Sequence, residues 1–227
     1  MKKIYLYLIT LLIGMLFCSS VFALPLQRLF QDIKLPTQSV LETQTFTNLA
    51  AASTTALALN IAGPTDADAL VVTTGFTQPD QPRNLTISTG GTTADGAGCV
   101  VTINGTNFLG GTISEDFTIT DNQTIFQTTT GSQAFKTITN ISFAANCEEG
   151  GFAATWTIGY GDKIGLKRCM DYAGDWAWSM TAGTYDSTRA TVTADADEVE
   201  KNVVDFYTAT DGTTDFKSFY VQNFRCF

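Results

Sequence analysis

The chain has no histidine among its 227 residues. That absence removes the side chain that most often moves protons near neutral pH, and with it every Ser-His-Asp or Cys-His nucleophile. Positive charge is scarce too: 13 Lys and Arg stand against 22 Asp and Glu, a net charge of −9. The one basic cluster, Lys163, Lys167 and Arg168, is small, whereas contact with a phosphate backbone draws on many clustered cations. No nucleic-acid partner is expected. The cysteines form no C-x-x-C pair, so a structural zinc site is not expected either. Asp195, Asp197, Glu198 and Glu200, and Asp211 with Asp215, supply oxygens suited to calcium. Neither group follows the twelve-residue calcium loop, and acids in turns ordinarily cap their own backbone. No catalytic residue, metal site or cofactor is expected.

Long apolar runs are missing as well, apart from one between Tyr5 and Phe17. Lys2 and Lys3 precede it, and Cys18-Ser19-Ser20-Val21-Phe22-Ala23 follows. A charged start, a short apolar middle and small residues at Val21 and Ala23 are the layout of a secretory leader over residues 1–23. The run falls short of the roughly 20 residues that span a bilayer, so a membrane is a partner only if the leader stays uncleaved. Four cysteines follow it: Cys99, Cys147, Cys169 and Cys226. In an exported chain an even number suits disulfides, with three pairings open, and buried free thiols are the alternative.

What the chain has in abundance is strand signal. Short runs of Thr, Val, Ile and Phe alternate with Gly, Asn and Asp turns, most densely from Gln81 to Leu166. Strands are expected at 56–61, 70–73, 84–87, 99–103, 112–113, 117–119 and 124–126, with a tight turn at Asn104-Gly105. The segment Phe135 to Phe143 reads as one strand with a bulge. Phe152, Ala154, Trp156, Ile158 and Tyr160 alternate, which puts them on one buried face. Residues 185–193 and 202–208 read as a further pair of strands around the acidic loop, and 219–221 as the last strand. About ten to twelve short strands imply an all-β fold, an antiparallel β-sandwich or jelly-roll-like arrangement. Behind the leader, the reading divides the chain into an N-terminal arm over 24–55, a β domain over 56–147, and a stretch over 148–227. That last stretch continues the β body or forms a second small β domain. N-x-Ser/Thr sequons stand at Asn84, Asn104, Asn122 and Asn140.

Thr74-Gly75-Phe76 through Pro79-Asp80-Gln81-Pro82-Arg83-Asn84-Leu85-Thr86 resembles the opening phrase of a family of tailed-bacteriophage and prophage virion structural proteins. Similar phrases follow in Val101 to Asn107, Gly111 to Glu115, Ala134 to Ile138, Ile158 to Leu166 and Asp211 to Phe216. The resemblance implies a non-enzymatic particle component of capsid-decoration or head-fibre type, located in the virion, with capsid or other virion proteins as partners. Docking is expected near Asp80 and Arg83 and near Asp162 and Lys163, where opposite charges flank turns. Strand edges make a homo-oligomer the expected state. The alternative is a secreted or cell-surface β-sandwich for glycan binding or adhesion, with Trp176 and Trp178 sharing a face as its aromatic surface.

Overall fold

Alternation of β-branched and aromatic residues with polar ones builds strand after strand. The computed structural model describes residues 40–64, 68–90, 99–119, 128–147 and 155–223. Among these residues run β1 (Val40–Phe46), β2 (Ser53–Ala62), β3 (Leu70–Val72), β4 (Arg83–Gly90), β5 (Val100–Thr106), β6 (Thr112–Thr118), β7 (Thr128–Phe135), β8 (Thr137–Phe143), β9 (Thr155–Gly165), β10 (Trp176–Thr181), β11 (Thr184–Tyr185), β12 (Thr191–Thr193), β13 (Val203–Asp205) and β14 (Phe216–Gln222). Their pairings are antiparallel. The fold is all-β with short strands, as expected.

One sheet has the order β1-β14-β10-β11, a second β12-β13-β9-β4-β7 with β2 also on β9, and a third β3-β8-β5-β6. The second and third sheets share a core, to which Leu85, Ile87, Trp156 and Ile158 come from one and Val101, Ile103, Ile141 and Phe143 from the other. This is sandwich packing. Trp156 is fully buried, with the Phe143 ring 5.4 Å away. A second core gathers Phe46, Trp176, Phe216 and Tyr220 from the first sheet with Ile164 and Val204 from the second, around Phe206. β9 serves both cores: Trp156, Ile158 and Tyr160 lie in one and Ile164 in the other.

Several elements differ from their sequence reading. β1 falls inside the stretch read as an arm and pairs along its whole length with β14. Asn104-Gly105 is no turn but part of β5, where the register with β8 slips. A Cβ at Gly105 would lie 2.0 Å from the Thr137 carbonyl oxygen, so this close strand crossing requires glycine. The two strands expected at 112–113 and 117–119 are one, β6, ending at Thr118, and 135–143 divides at Lys136 into β7 and β8. β9 joins β2 and β4, which ties the stretch read as 56–147 to the one read as 148–227. The expected strand at 124–126 and the side chains of Phe152 and Ala154 lie outside the described residues.

Cys99, at the start of β5, and Cys147, in a single 3-10 turn after β8, are fully buried and bonded to each other. Cys169 is also disulfide-bonded and buried, while Cys226 lies outside the described residues. The Cys99–Cys147 bridge spans 48 residues. Restricting an unfolded loop of that length is worth about 4 kcal/mol in the chain-entropy account. The double variant Cys99→Ala/Cys147→Ala should lose about 2–4 kcal/mol in urea unfolding, and an unchanged midpoint would contradict this.

Candidate functional site

Of the four charged residues expected to dock, the structure turns one inward. Arg83 is fully buried. Its Nε ion-pairs with Asp80 Oδ1 at 2.9 Å, and its Nη2 donates to the Ala50 carbonyl at 2.6 Å and to Asp80 Oδ2 at 3.3 Å. Nη1 donates to the Gly161 carbonyl at 3.4 Å, and the guanidinium lies 4.5 Å from the centre of the Tyr160 ring. Burial lowers the Arg83 pKa from its ordinary value, and Asp80 is the first group to oppose that shift. Burial also raises the Tyr160 hydroxyl. A desolvated cation is tolerated only when paired and hydrogen-bonded, which these partners achieve. Arg83 is a clamp between the 50s, the 80s and β9, and it leaves the expected docking surface. Asp80 remains partly accessible, Asp162 is exposed and Lys163 half-buried.

The neighbouring Asn84 holds two bulges together. Opposite it, β9 moves from Ile164 to Tyr160 while β4 moves only from Arg83 to Leu85. On the other side β7 moves from Ala134 to Thr130 while β4 moves from Asn84 to Thr86. Both partners bulge, and bulges free backbone groups. The buried Asn84 amide satisfies both: Nδ2 donates to the Gly131 carbonyl at 3.1 Å and Oδ1 accepts from the Lys163 N–H at 3.0 Å. Glu115 completes the β7 bulge by accepting the Ser132 N–H at 2.6 Å and the Gln133 N–H at 3.3 Å. Gln78 brackets Ile138 in the same way, accepting its N–H at 2.6 Å and donating to its carbonyl at 3.1 Å. These residues build the fold.

The acidic clusters behave as turn caps. Asp195 accepts the Asp197 and Glu198 N–H groups, each at 2.9 Å, and these bonds hold its carboxyl below the usual range. Asp211 accepts from the Thr213 and Thr214 N–H groups and is lowered to about 2. Asn202, unremarked in the sequence, fastens the acidic loop by donating to the Asp195 and Glu198 carbonyls and accepting from the Met170 N–H. Among the described residues no three or more His, Cys, Asp or Glu side chains gather to hold a metal ion. A different acidic pair was missed. Asp205 pairs in register with Lys163 and lies beside Asp162. Burial raises its carboxyl, Asp162 adds to the rise, and Lys163 opposes it. Asp162, Lys163 and Asp205 line a groove of about 350 Å³ together with Thr86, Thr128 and Thr130.

The two tryptophans do not share a face. The register between β10 and β14 slips between Trp176 and Trp178, so Trp176 pairs with Tyr220 and Trp178 with Phe219. Adjacent β14 residues point to opposite faces. Trp176 is buried and stacked at 5° to Tyr220, whereas Trp178 is 40% exposed and stacked on Phe219 at 5.1 Å. Tyr185, 65% exposed, lies 6.3 Å from Trp178. Trp178 and Tyr185, with the half-buried Phe219 beneath, form an aromatic surface. Its two added members come from strands whose register no sequence pattern reveals.

No family model, curated protein or solved structure matches this chain.

Two outcomes follow from the charged groups. Asp80→Ala should cost about 3 kcal/mol in urea unfolding, because it strips the counter-charge from a buried guanidinium; a loss within error would show that Arg83 needs no partner. Asp205 is raised above 3.8, so the folded state holds its proton more tightly than the unfolded chain does. Its ionisation therefore weakens the fold as pH rises through the raised value, and the penalty is absent in acid. Asp205→Asn should melt above the parent at pH 7, with the gap closing toward about pH 3. Equal melting at pH 7 would contradict the assignment.

Proposed function

We propose that this chain is a non-enzymatic structural or accessory protein of a virus particle, displayed at its surface and docked through β surfaces. The observation that carries the reading is the use made of the phage-like phrases. Within those segments Gln78 bonds Ile138, Arg83 bonds Asp80 and Gly161, and Gly105 closely approaches Thr137, while Asn84 and Glu115 bond the β7 bulge. Side chains spent on internal bonds of this kind serve a scaffold, which fits a coat or decoration module. Repeated copies on a shell would make weak individual contacts collectively strong. Edge strands and the exposed Val40 and Leu41 of β1 suit assembly into a homo-oligomer.

The disulfides at Cys99, Cys147 and Cys169 fit an oxidising setting, so the particle reading includes exposure outside a reducing cytoplasm. One specific observation favours a second reading, a secreted or cell-surface adhesion protein that binds glycan: the exposed Trp178 and Tyr185 rings beside the half-buried Phe219. Particles purified on a density gradient from cells producing the full chain separate the two. The chain should band with capsid protein and dissociate as an oligomer by light scattering. Recovery only in particle-free medium or on the cell envelope would overturn the particle reading.

A further inference from the structure

The outer face of the first sheet gathers rings around a cation. In β14 the buried Ser218, Tyr220 and Gln222 face one way, which leaves Lys217, Phe219 and Val221 on the other side. Thr43 on β1 and Trp178 on β10 stand on either side of Phe219. The next row runs Thr45, Lys217, Met180 and Tyr185, each opposite the one before. Trp178 is stacked on Phe219 at 5.1 Å and Tyr185 lies 6.3 Å away, so the rings form one ledge with Trp178 and Tyr185 open to solvent.

Lys217 is half-buried in this face and unengaged. Arg83, Lys167 and Lys201 pair with carboxylates, and Arg189 donates to two backbone carbonyls. Among the described residues the Lys217 ammonium has no salt bridge, no hydrogen bond and no aromatic ring beneath it. A cavity of about 190 Å³ opens beside it, lined also by Thr45, Met180 and Asp215. Asp215 spends its Oδ1 on the Asn48 N–H at 3.1 Å, which leaves Oδ2 to accept another bond. We propose that this face binds a saccharide bearing a carboxylate, of uronic or sialic acid type. The sugar ring packs on Trp178 and Tyr185, its carboxylate meets Lys217, and its hydroxyls bond to Thr45 and Asp215. The inference rests on the glycan reading of the aromatic surface and adds the sugar class; it needs nothing from the particle reading.

Spacing and charge favour that class over others. Same-face rows on a strand lie about 7 Å apart, so a ring over Trp178 carries its substituents to the Lys217 row. An aromatic ring takes the apolar side of a sugar while the polar rim stays hydrated. One ammonium suits one carboxylate, whereas sulfated or phosphorylated polymers call for clustered cations and are repelled by the net charge of −9. An extended peptide would add along a strand edge, but Phe219 and Trp178 project from the two central strands, β14 and β10. A second copy fits poorly as well. Four short strands about 4.8 Å apart present about 300 Å², well under the roughly 800 Å² per partner of a stable interface.

The test is an array of glycans in matched pairs, carboxylated and with the carboxyl amidated, probed with the full chain and followed by titration calorimetry. At least one carboxylated glycan should bind, and its amidated partner should bind tenfold or more weakly. Trp178→Ala should weaken binding tenfold or more. Lys217→Gln should erase the preference for the carboxylate and Lys217→Arg should keep it, with melting curves confirming that each variant folds. Failure of every saccharide to bind would overturn both the glycan reading and this inference. Equal affinity for the two members of a pair, or a preference that survives Lys217→Gln, would overturn the inference alone. Vesicles of phosphatidylcholine with and without phosphatidylserine provide the last arm. Binding to them that Trp178→Ala and Lys217→Gln abolish, with no glycan bound, would replace the sugar by a lipid surface.

Discussion

The structure turns on one buried guanidinium. Arg83 is held by a carboxylate, two backbone carbonyls and a tyrosine ring, drawn from three parts of the chain: the 79–82 turn, the link between β1 and β2, and β9. A cation in such a place is stable only with all partners present, so the partners are positioned as strictly as the cation. Asp80 bonds in turn to the Ala50 N–H, and the Pro82 carbonyl accepts the Gly165 N–H. The link before β2, the entry to β4 and the end of β9 are thereby fastened together.

Next to the clamp, Asn84 lets two neighbours of one strand bulge at the same level. The β9 bulge lies where that strand passes from one core to the other, between Tyr160 and Ile164. Without a side chain to collect the freed N–H and C=O groups, the bulges would leave buried polar groups unpaired. The same bulge carries Asp162 to the surface, so the packing between two cores and the groove that Asp162 lines share one cause.

Much of this fold is legible in the sequence because period-two alternation is a direct consequence of strand geometry. Trp156, Ile158 and Tyr160 are buried on one face as their spacing implies, and the strands around the acidic loop pair as β12 and β13. The misreadings cluster at bulges. Asn104-Gly105 reads as a turn because local conformational freedom favours one, yet the glycine serves a close crossing with Thr137. Trp176 and Trp178 separate to opposite faces through a one-residue slip that alternation does not encode. Arg83 reads as a surface charge because sequence shows a charge but not its burial. Asp205 is silent for a related reason: it matters through Asp162 and Lys163, on a strand distant in the chain. The Cys99–Cys147 pairing, one of three open possibilities, required the same long-range information.

The Asn84 sequon carries a consequence of its own. The nitrogen that would receive an N-linked sugar is the Nδ2 that donates to Gly131, in a side chain 1% exposed. A glycan attached there during synthesis has no space inside the closed double bulge, and the sheet would have to open to accommodate it. Asn104 is constrained as well, since its Nδ2 donates to Asn140 Oδ1 across β5 and β8. The sheet described here therefore forms with Asn84 unmodified.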